Sequence, residues 1–301
     1  MSLLEVSDLI DQKKFGEAEA ELHEHLRQDS SNKLAREYLG DVQGHLKNWD
    51  KAIEYYEVLA NEEPRNANYQ YKYGGSMGMK ALTISKIRAV GYIGDMRRAF
   101  EKAAELDPKH IDARWALVEF NMSVPGILGG TEKNALKYAD QLEQLSEVDG
   151  YLAKGYVAEY SDRPNDAERY YRKAIDVGGS VTCYQKLTDF YEKTMKQPEK
   201  AIANIEKAQI KHKRNALHYQ IGKVAAEYNV ELDKGEQCLK IYLANHSAQD
   251  GVPKSWAYYR LAQINRHKGQ KEEALKWVNT AIKSKPDLKP ALKEKELIQS
   301  M

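Results

Sequence analysis

The 301-residue chain contains 46 Lys and Arg residues against 45 Asp and Glu residues, a formal net charge of +1. This balance argues against nucleic-acid and membrane-surface binding, which depend on concentrated positive charge, although local patches remain compatible with it. Eight prolines and 19 glycines are few for a sandwich or barrel, no stretch approaches the roughly 18 apolar residues of a membrane span, and Cys183 and Cys238 lack metal-ligand or redox spacing.

A pattern of small and bulky residues returns every 34 residues. Ala18 and Ala52 are separated by this distance, as are Ala167, Ala201 and Gly235. Bulky residues follow four positions later, at Leu22, Tyr56, Tyr171, Ile205 and Leu239. A period of this length is typical of helix pairs that stack because one pair cannot bury its apolar face alone. The sequence therefore predicts an all-α fold, a right-handed α-solenoid of about eight stacked helix pairs, with residues 1–301 as a single domain.

The first two pairs are predicted at 1–32 and 33–66, each with a helix A, a tight turn and a helix B. Gly40 in helix A and Ala52 in helix B are small, which permits the two helices to cross closely. The bulky Trp49 and Tyr56 are expected to fill the gap to the next pair, and Pro64 ends helix B.

The third and fourth pairs depart from the period. Pro108, which closes the third pair, follows Pro64 by 44 residues instead of 34. The extra residues between Lys80 and Asp95 carry apolar residues at near-helical spacing, which predicts an extended helix pair at 67–110 rather than an unstructured insertion. The fourth pair, at 111–147, contains a Pro-Gly loop after its helix A, and Thr131 is predicted to cap its helix B.

The regular spacing then resumes in the second half of the chain. Pairs are predicted at 148–181, 182–214, 215–254 and 255–288. A final helix at 288–301 alternates apolar residues with Lys and Glu, as expected of a cap that covers the last apolar surface of an array.

These motifs resemble a known repeat family. Leu39-Gly40, Trp49, Ala52, Tyr56 and Pro64 are similar to the signature of the tetratricopeptide repeat, which spans 34 residues. The segment Pro125-Gly-Ile-Leu-Gly-Gly130 resembles a bacterial subgroup of that family, in which a Pro-Gly-x-x-Gly-Gly loop follows an extended pair. The subgroup implies an exported or periplasmic location if a leader has been removed; without a leader, a cytoplasmic location is the alternative.

The resemblance also implies where a partner would bind. In this family helix A lines a concave groove, and the family's common task is to hold proteins or peptides. Projecting the inward-facing positions onto this chain predicts groove contacts at Tyr71, Trp115, Glu119, Tyr156, Lys186, Phe190, Tyr219, Lys223, Trp256, Tyr259 and Arg266. Aromatic residues with a few charges suit an extended or helical peptide. The alternative is that aromatic residues at helical spacing pack in the core.

The Pro-Gly loop is a second candidate contact, through Ile127 and Leu128. The alternative is a shaped connection whose Ile and Leu pack over the neighbouring pairs, since Gly and Pro clusters commonly form turns. If the loop or the array ends were to pair with a second copy, the chain would be a self-assembling scaffold that forms homo-oligomers.

No catalytic constellation is visible in the sequence. The eight histidines lack zinc-ligand spacing, and His23 and His25 point to opposite sides of a helix. We therefore expect no enzyme activity, no cofactor, no metal, no nucleic-acid partner and no direct membrane insertion. The expected function is a non-catalytic scaffold that binds a protein or peptide segment, and a minor alternative is an accessory subunit of an enzyme complex.

Overall fold

The computed structural model describes all 301 residues and contains 17 α-helices and no β-strand. This number corresponds to eight helix pairs and a final helix, so the predicted all-α solenoid of stacked pairs is confirmed. The chain divides into two compact units, Met1–Ser161 and Asp162–Met301. The division falls within the fifth predicted pair, between its two helices.

Unit 1 contains nine α-helices, in which odd-numbered helices are helices A and even-numbered ones are helices B. They are α1 (Leu3–Asp11), α2 (Phe15–Gln28), α3 (Lys33–His45), α4 (Trp49–Glu62), α5 (Ala67–Thr83), α6 (Lys86–Leu106), α7 (Ile111–Ser123), α8 (Glu132–Leu145) and α9 (Glu147–Tyr160).

Glycine permits the close crossing of helices A and B in unit 1. A Cβ atom on Gly40 in α3 would lie 2.6 Å from Cζ of Tyr56 in α4, and one on Gly74 in α5 would lie 2.8 Å from Cε1 of Phe100 in α6. Both rings are buried. The predicted role of Gly40 is therefore confirmed, and Tyr56 fills the space that the missing side chain leaves.

The extra residues of the third pair lengthen its helices. Helix α5 has 17 residues and α6 has 21, and only Ile84 and Ser85 separate them. The fourth pair contains the Pro-Gly loop, which forms a 3-10 turn at Gly126–Leu128. The side chain of Thr131 accepts a hydrogen bond from the backbone nitrogen of Asn134 at 3.2 Å, so the predicted cap of α8 is confirmed.

Unit 2 contains eight α-helices. They are α10 (Pro164–Val177), α11 (Val181–Asp189), α12 (Pro198–His212), α13 (Asn215–Tyr228), α14 (Leu232–Ala244), α15 (Lys254–His267), α16 (Lys271–Ser284) and α17 (Lys289–Gln299). A π-helical turn at Phe190–Thr194 continues α11, and a 3-10 turn at Ala248–Asp250 precedes α15.

The last helix of unit 2 covers the apolar face of the last pair. Ala291 and Ile298 of α17 are buried in one cluster with Val278 and Ala281 of α16. The remaining α17 positions are mostly polar and exposed. Helix α17 therefore replaces the next pair that an array would otherwise need to bury this surface.

We expect Gly40→Ala to destabilise the fold, because its methyl group would displace the buried Tyr56 ring. Overpacking of this kind costs about 1–3 kcal/mol. The matched control is Gly75→Ala in α5, where nothing lies within 4 Å of the added carbon. Gly75→Ala should be neutral or stabilise by up to about 1 kcal/mol, because alanine is the better helix former. Urea unfolding followed by circular dichroism measures both changes, and an unchanged midpoint for Gly40→Ala would contradict the close crossing.

Candidate functional site

Successive helices A of unit 1 lie side by side and share one face. The Tyr71 ring of α5 lies 5.0 Å from the ring of His110, which caps α7. The indole nitrogen of Trp115 in α7 donates a hydrogen bond of 2.8 Å to Asp149 of α9. Tyr71, Trp115 and Tyr156 are all half-buried. The structure therefore brings the predicted aromatic residues of unit 1 onto adjoining helices.

Glu119 of α7 lies near two of these rings. Burial raises the pKa of Tyr71, and the carboxylates of Asp112 and Glu119 raise it further. Burial also raises the pKa of Tyr156, and the Glu119 carboxylate adds to that increase. A carboxylate disfavours the charged phenolate because the two negative charges repel. We call Tyr71, Asp112, Trp115, Glu119 and Tyr156 the aromatic–acidic surface.

This surface offers recognition chemistry. Ring faces carry negative electrostatic potential and attract Lys and Arg side chains. Asp112 and Glu119 are exposed carboxylates among those rings, and Tyr160, which is also exposed, extends the surface at 5.5 Å from Tyr156. The arrangement favours a segment that combines positive charge with apolar area.

In unit 2 the structure corrects three of the predicted groove contacts. Phe190, Tyr219 and Tyr259 are buried. Phe190 packs 5.7 Å from Tyr171, and Tyr219 packs 5.4 Å from Tyr242. The prediction that these rings face a partner is wrong, because they fill the space between helices A and B instead.

Of the aromatic contacts predicted in unit 2, Trp256 remains half-buried. Its ring meets Tyr259 edge-on at 6.0 Å, and the Arg260 guanidinium lies 4.9 Å from the Tyr259 ring centre. Trp256 also packs against the two apolar clusters that flank α15. Tyr71, Trp115 and Tyr156 of unit 1 also pack against apolar clusters, so this packing alone does not distinguish Trp256 from them.

The predicted cations of unit 2 differ in their surroundings. Lys223 lies 3.6 Å from Glu192 and 3.5 Å from Glu227. Arg266 forms an ion pair with the buried Glu294 of α17. Lys186 is exposed on α11. Lys223 and Arg266 thus already balance carboxylates of the chain itself.

The Pro-Gly loop presents one of its two candidate residues to solvent. Ile127 is 94% exposed, whereas Leu128 is half-buried. Gly129 has a φ of 98°, and a side chain at Gly130 would collide with the Val124 carbonyl. The two glycines therefore shape the turn. The alternative that Ile127 packs over neighbouring pairs is wrong.

Sequence reasoning missed an ionic cluster between the second and third pairs. The Lys72 ammonium lies 2.9 Å from both Glu37 and Asp41, and the Tyr56 hydroxyl donates to Asp41. Burial lowers the pKa of Lys72, but the two carboxylates outweigh it and the net shift is upward. Burial, aided by Asp41, raises the pKa of Tyr56 far above its usual value. The available signal was the spacing of 31 residues between Asp41 and Lys72, close to one repeat.

No group of three or more His, Cys, Asp or Glu side chains is placed to hold a metal ion. None of the helices combines the length and the apolar character that crossing a membrane requires.

Stacked pairs with adjoining helices A define a helical repeat protein of the α-solenoid class. Two segments are similar to the tetratricopeptide repeat family: residues 3–71 match one model of that family and residues 257–288 match another. Such repeats generally mediate protein–protein interactions and typically act as non-catalytic scaffolds. No curated protein sequence matches the chain.

Solved structures share the fold. A tetratricopeptide repeat protein from Parabacteroides merdae is 14% identical with a TM-score of 0.52, and the match covers 99% of this chain and 97% of that one. Yeast Tom70 is 14% identical with a TM-score of 0.63, over 96% of this chain and 58% of that one. The thermophilic protein TTC0263 from Thermus thermophilus is 16% identical with a TM-score of 0.50, over 63% of this chain and 95% of that one.

We expect stability to fall as the pH rises above about 10, partly through Tyr56 and Lys72. Both have raised pKa values in the folded chain. The unfolded chain therefore loses these protons first, near pH 10 for tyrosine. By pH 11, a tyrosine that stays protonated in the folded chain lowers the free energy of unfolding by about 1.4 kcal/mol. Urea unfolding at pH 9 and pH 11 should show a smaller loss in Tyr56→Phe than in the wild type. Equal losses would contradict the assignment.

Proposed function

We propose that the chain is a non-catalytic scaffold that binds a segment of another protein on the aromatic–acidic surface. The observation that carries the proposal is the placement of half-buried Tyr71, Trp115 and Tyr156 on three successive helices A, with the exposed carboxylates of Asp112 and Glu119 among them. Rings at adjoining helices supply a large contact area at low conformational cost.

Charge supports a basic partner. Each Lys or Arg that reaches a ring face at a partly exposed site gains about 0.5–1 kcal/mol from the cation–π interaction. Asp112 and Glu119 would add ion pairs and would orient the segment on approach. The bound segment is therefore a peptide with at least two Lys or Arg residues near apolar side chains.

Unit 1 is favoured over unit 2 for this role. The unit 2 rings at Phe190, Tyr219 and Tyr259 are buried, and the cations Lys223 and Arg266 already form ion pairs within the chain. Of the predicted aromatic contacts, unit 2 therefore leaves Trp256 half-buried, whereas unit 1 leaves Tyr71, Trp115 and Tyr156 half-buried. The Pro125–Gly130 loop supports a further proposal, that the chain groups with bacterial tetratricopeptide proteins carrying a Pro-Gly-x-x-Gly-Gly loop.

We expect wild-type protein to select basic peptides from a random library displayed on phage. Titration calorimetry on the best peptide should then show about tenfold weaker binding for Asp112→Asn with Glu119→Gln, since two exposed ion pairs are lost. Trp115→Ala should weaken binding by about 30-fold or more, as expected for an aromatic anchor.

The matched control is Asp287→Asn with Glu272→Gln, which changes the same two residue types at exposed positions of unit 2. This control should bind as the wild type does. Circular dichroism checks that every variant is folded. Selection of acidic peptides, or equal binding by the Asp112/Glu119 variant and its control, would overturn the proposed surface.

A further inference from the structure

The hairpin of α5 and α6 extends beyond its neighbours. Helix α6 has 21 residues, whereas the flanking α4 and α7 have 14 and 13. The connections at the other end of the hairpin, 63–66 and 107–110, are short, so the extra length lies at the turn between α5 and α6. At 1.5 Å per residue, the hairpin projects about 10 Å further than α4 does. We call residues 79–90 the hairpin tip.

Apolar side chains are exposed at the hairpin tip. Leu82 is 80% exposed and Ile87 is 87% exposed, and Met79 and Val90 are exposed as well. Met79 and Leu82 are three residues apart in α5, and Ile87 and Val90 are three apart in α6, so each pair shares one helix face. Single exposed apolar residues are common, but a cluster at a projecting end marks an interaction site.

The Pro-Gly loop lies against α6 at Arg97, seven residues beyond the hairpin tip. Val90 and Arg97 are seven residues apart and lie on one face of α6. A Cβ atom on Gly129 would lie 2.7 Å from a guanidinium nitrogen of Arg97, so the loop lies against that face. Ile127, which is 94% exposed, adds another exposed apolar side chain on this loop.

Positive charge is concentrated in the same segment. Residues 64–94 contain no Asp or Glu, although the chain has 45 such residues, and they contain Arg65, Lys72, Lys80, Lys86 and Arg88. Arg65 lies in the connection at the other end of the hairpin, and Lys72 and Lys80 form ion pairs with carboxylates of other helices. Lys86 and Arg88 are exposed in the hairpin tip itself. The overall charge of +1 conceals this local excess.

We propose that the hairpin tip docks on an anionic phospholipid surface. The aliphatic side chains enter the boundary between headgroups and acyl chains, which amphipathic helices penetrate by about 5–10 Å. Lys86 and Arg88 reach the lipid phosphates, as long cationic side chains do at this depth. Exposed aliphatic side chains beside exposed cations are the combination by which interfacial segments bind anionic membranes, which favours a lipid surface over a protein segment. The proposal is independent of peptide binding on the aromatic–acidic surface.

Vesicle flotation tests the proposal. The probes are vesicles of phosphatidylcholine alone and vesicles of phosphatidylcholine with phosphatidylserine, each mixed with the full chain. We expect binding only to the anionic vesicles. Lys86→Gln with Arg88→Gln should weaken binding by about 25-fold, since each basic residue near an anionic surface contributes about fivefold. Leu82→Ser with Ile87→Ser should weaken it by about tenfold or more, because two aliphatic side chains no longer leave water.

Two controls match these variants. Leu4→Ser with Ile210→Ser changes residues that are 80% and 73% exposed elsewhere. Lys283→Gln with Lys285→Gln removes two exposed positive charges elsewhere. Both controls should bind vesicles as the wild type does, and circular dichroism should show all variants folded.

Three results would overturn the proposal. The wild type could fail to bind anionic vesicles, or it could bind both kinds of vesicle equally. Light scattering could instead reveal a homodimer that only Leu82→Ser with Ile87→Ser abolishes, in which case a second copy covers the tip. A basic peptide that binds wild type and tip variants equally would leave the proposed function intact in each case.

Discussion

Close crossing of helices A and B is the constraint on which the rest of this structure depends. Gly40 lets Tyr56 lie against α3, Gly74 lets Phe100 lie against α5, and in unit 2 a Cβ on Gly222 would collide with Leu239. Because the glycine is on helix A, the bulky side chain of helix B packs against it in the space between the two helices of the pair. The face of helix A that points away from helix B remains available to contact the next pair or a partner. After the last pair, where no further pair follows, α17 covers the apolar face.

The same constraint separates aromatic residues that stabilise the fold from those that remain accessible. Phe190 and Tyr219 are drawn into the space between helices and lie against other rings. Tyr71, Trp115 and Tyr156 lie where one helix A meets the next, and they keep part of each ring in solvent. Ionic contacts between neighbouring helices are made by Lys72 and Arg266, which neutralise carboxylates of the chain. Asp112 is exposed near the Tyr71 phenol. The proposed binding surface therefore consists of side chains that packing leaves partly exposed.

The sequence predicted the features that repeat with the helix pairs, but it did not predict how deeply individual side chains are buried. The 34-residue spacing predicted helix pairs, and the size of Gly40 predicted a close crossing, because both are local consequences of helix geometry. Projecting residues onto a helix face predicts the direction in which a side chain points but not how much of it is buried. The projection therefore grouped the buried Phe190 with the half-buried Trp115. The apolar spacing at Leu82 and Ile87 indicated a helix, but the sequence did not show that the flanking helices α4 and α7 are too short to cover the hairpin tip. Lys72 lies opposite its carboxylates only because adjoining pairs stack.

Side-chain footprinting with hydroxyl radicals would test the central claim most directly. Oxidation of Tyr and Trp rings, read by mass spectrometry, reports their solvent exposure with and without the selected basic peptide. The account predicts that the peptide protects Tyr71, Trp115 and Tyr156, while the stacked pair Tyr258 and Trp277 of unit 2 reacts as before. Protection confined to Tyr258 and Trp277, or unchanged oxidation of the three unit 1 rings, would contradict it.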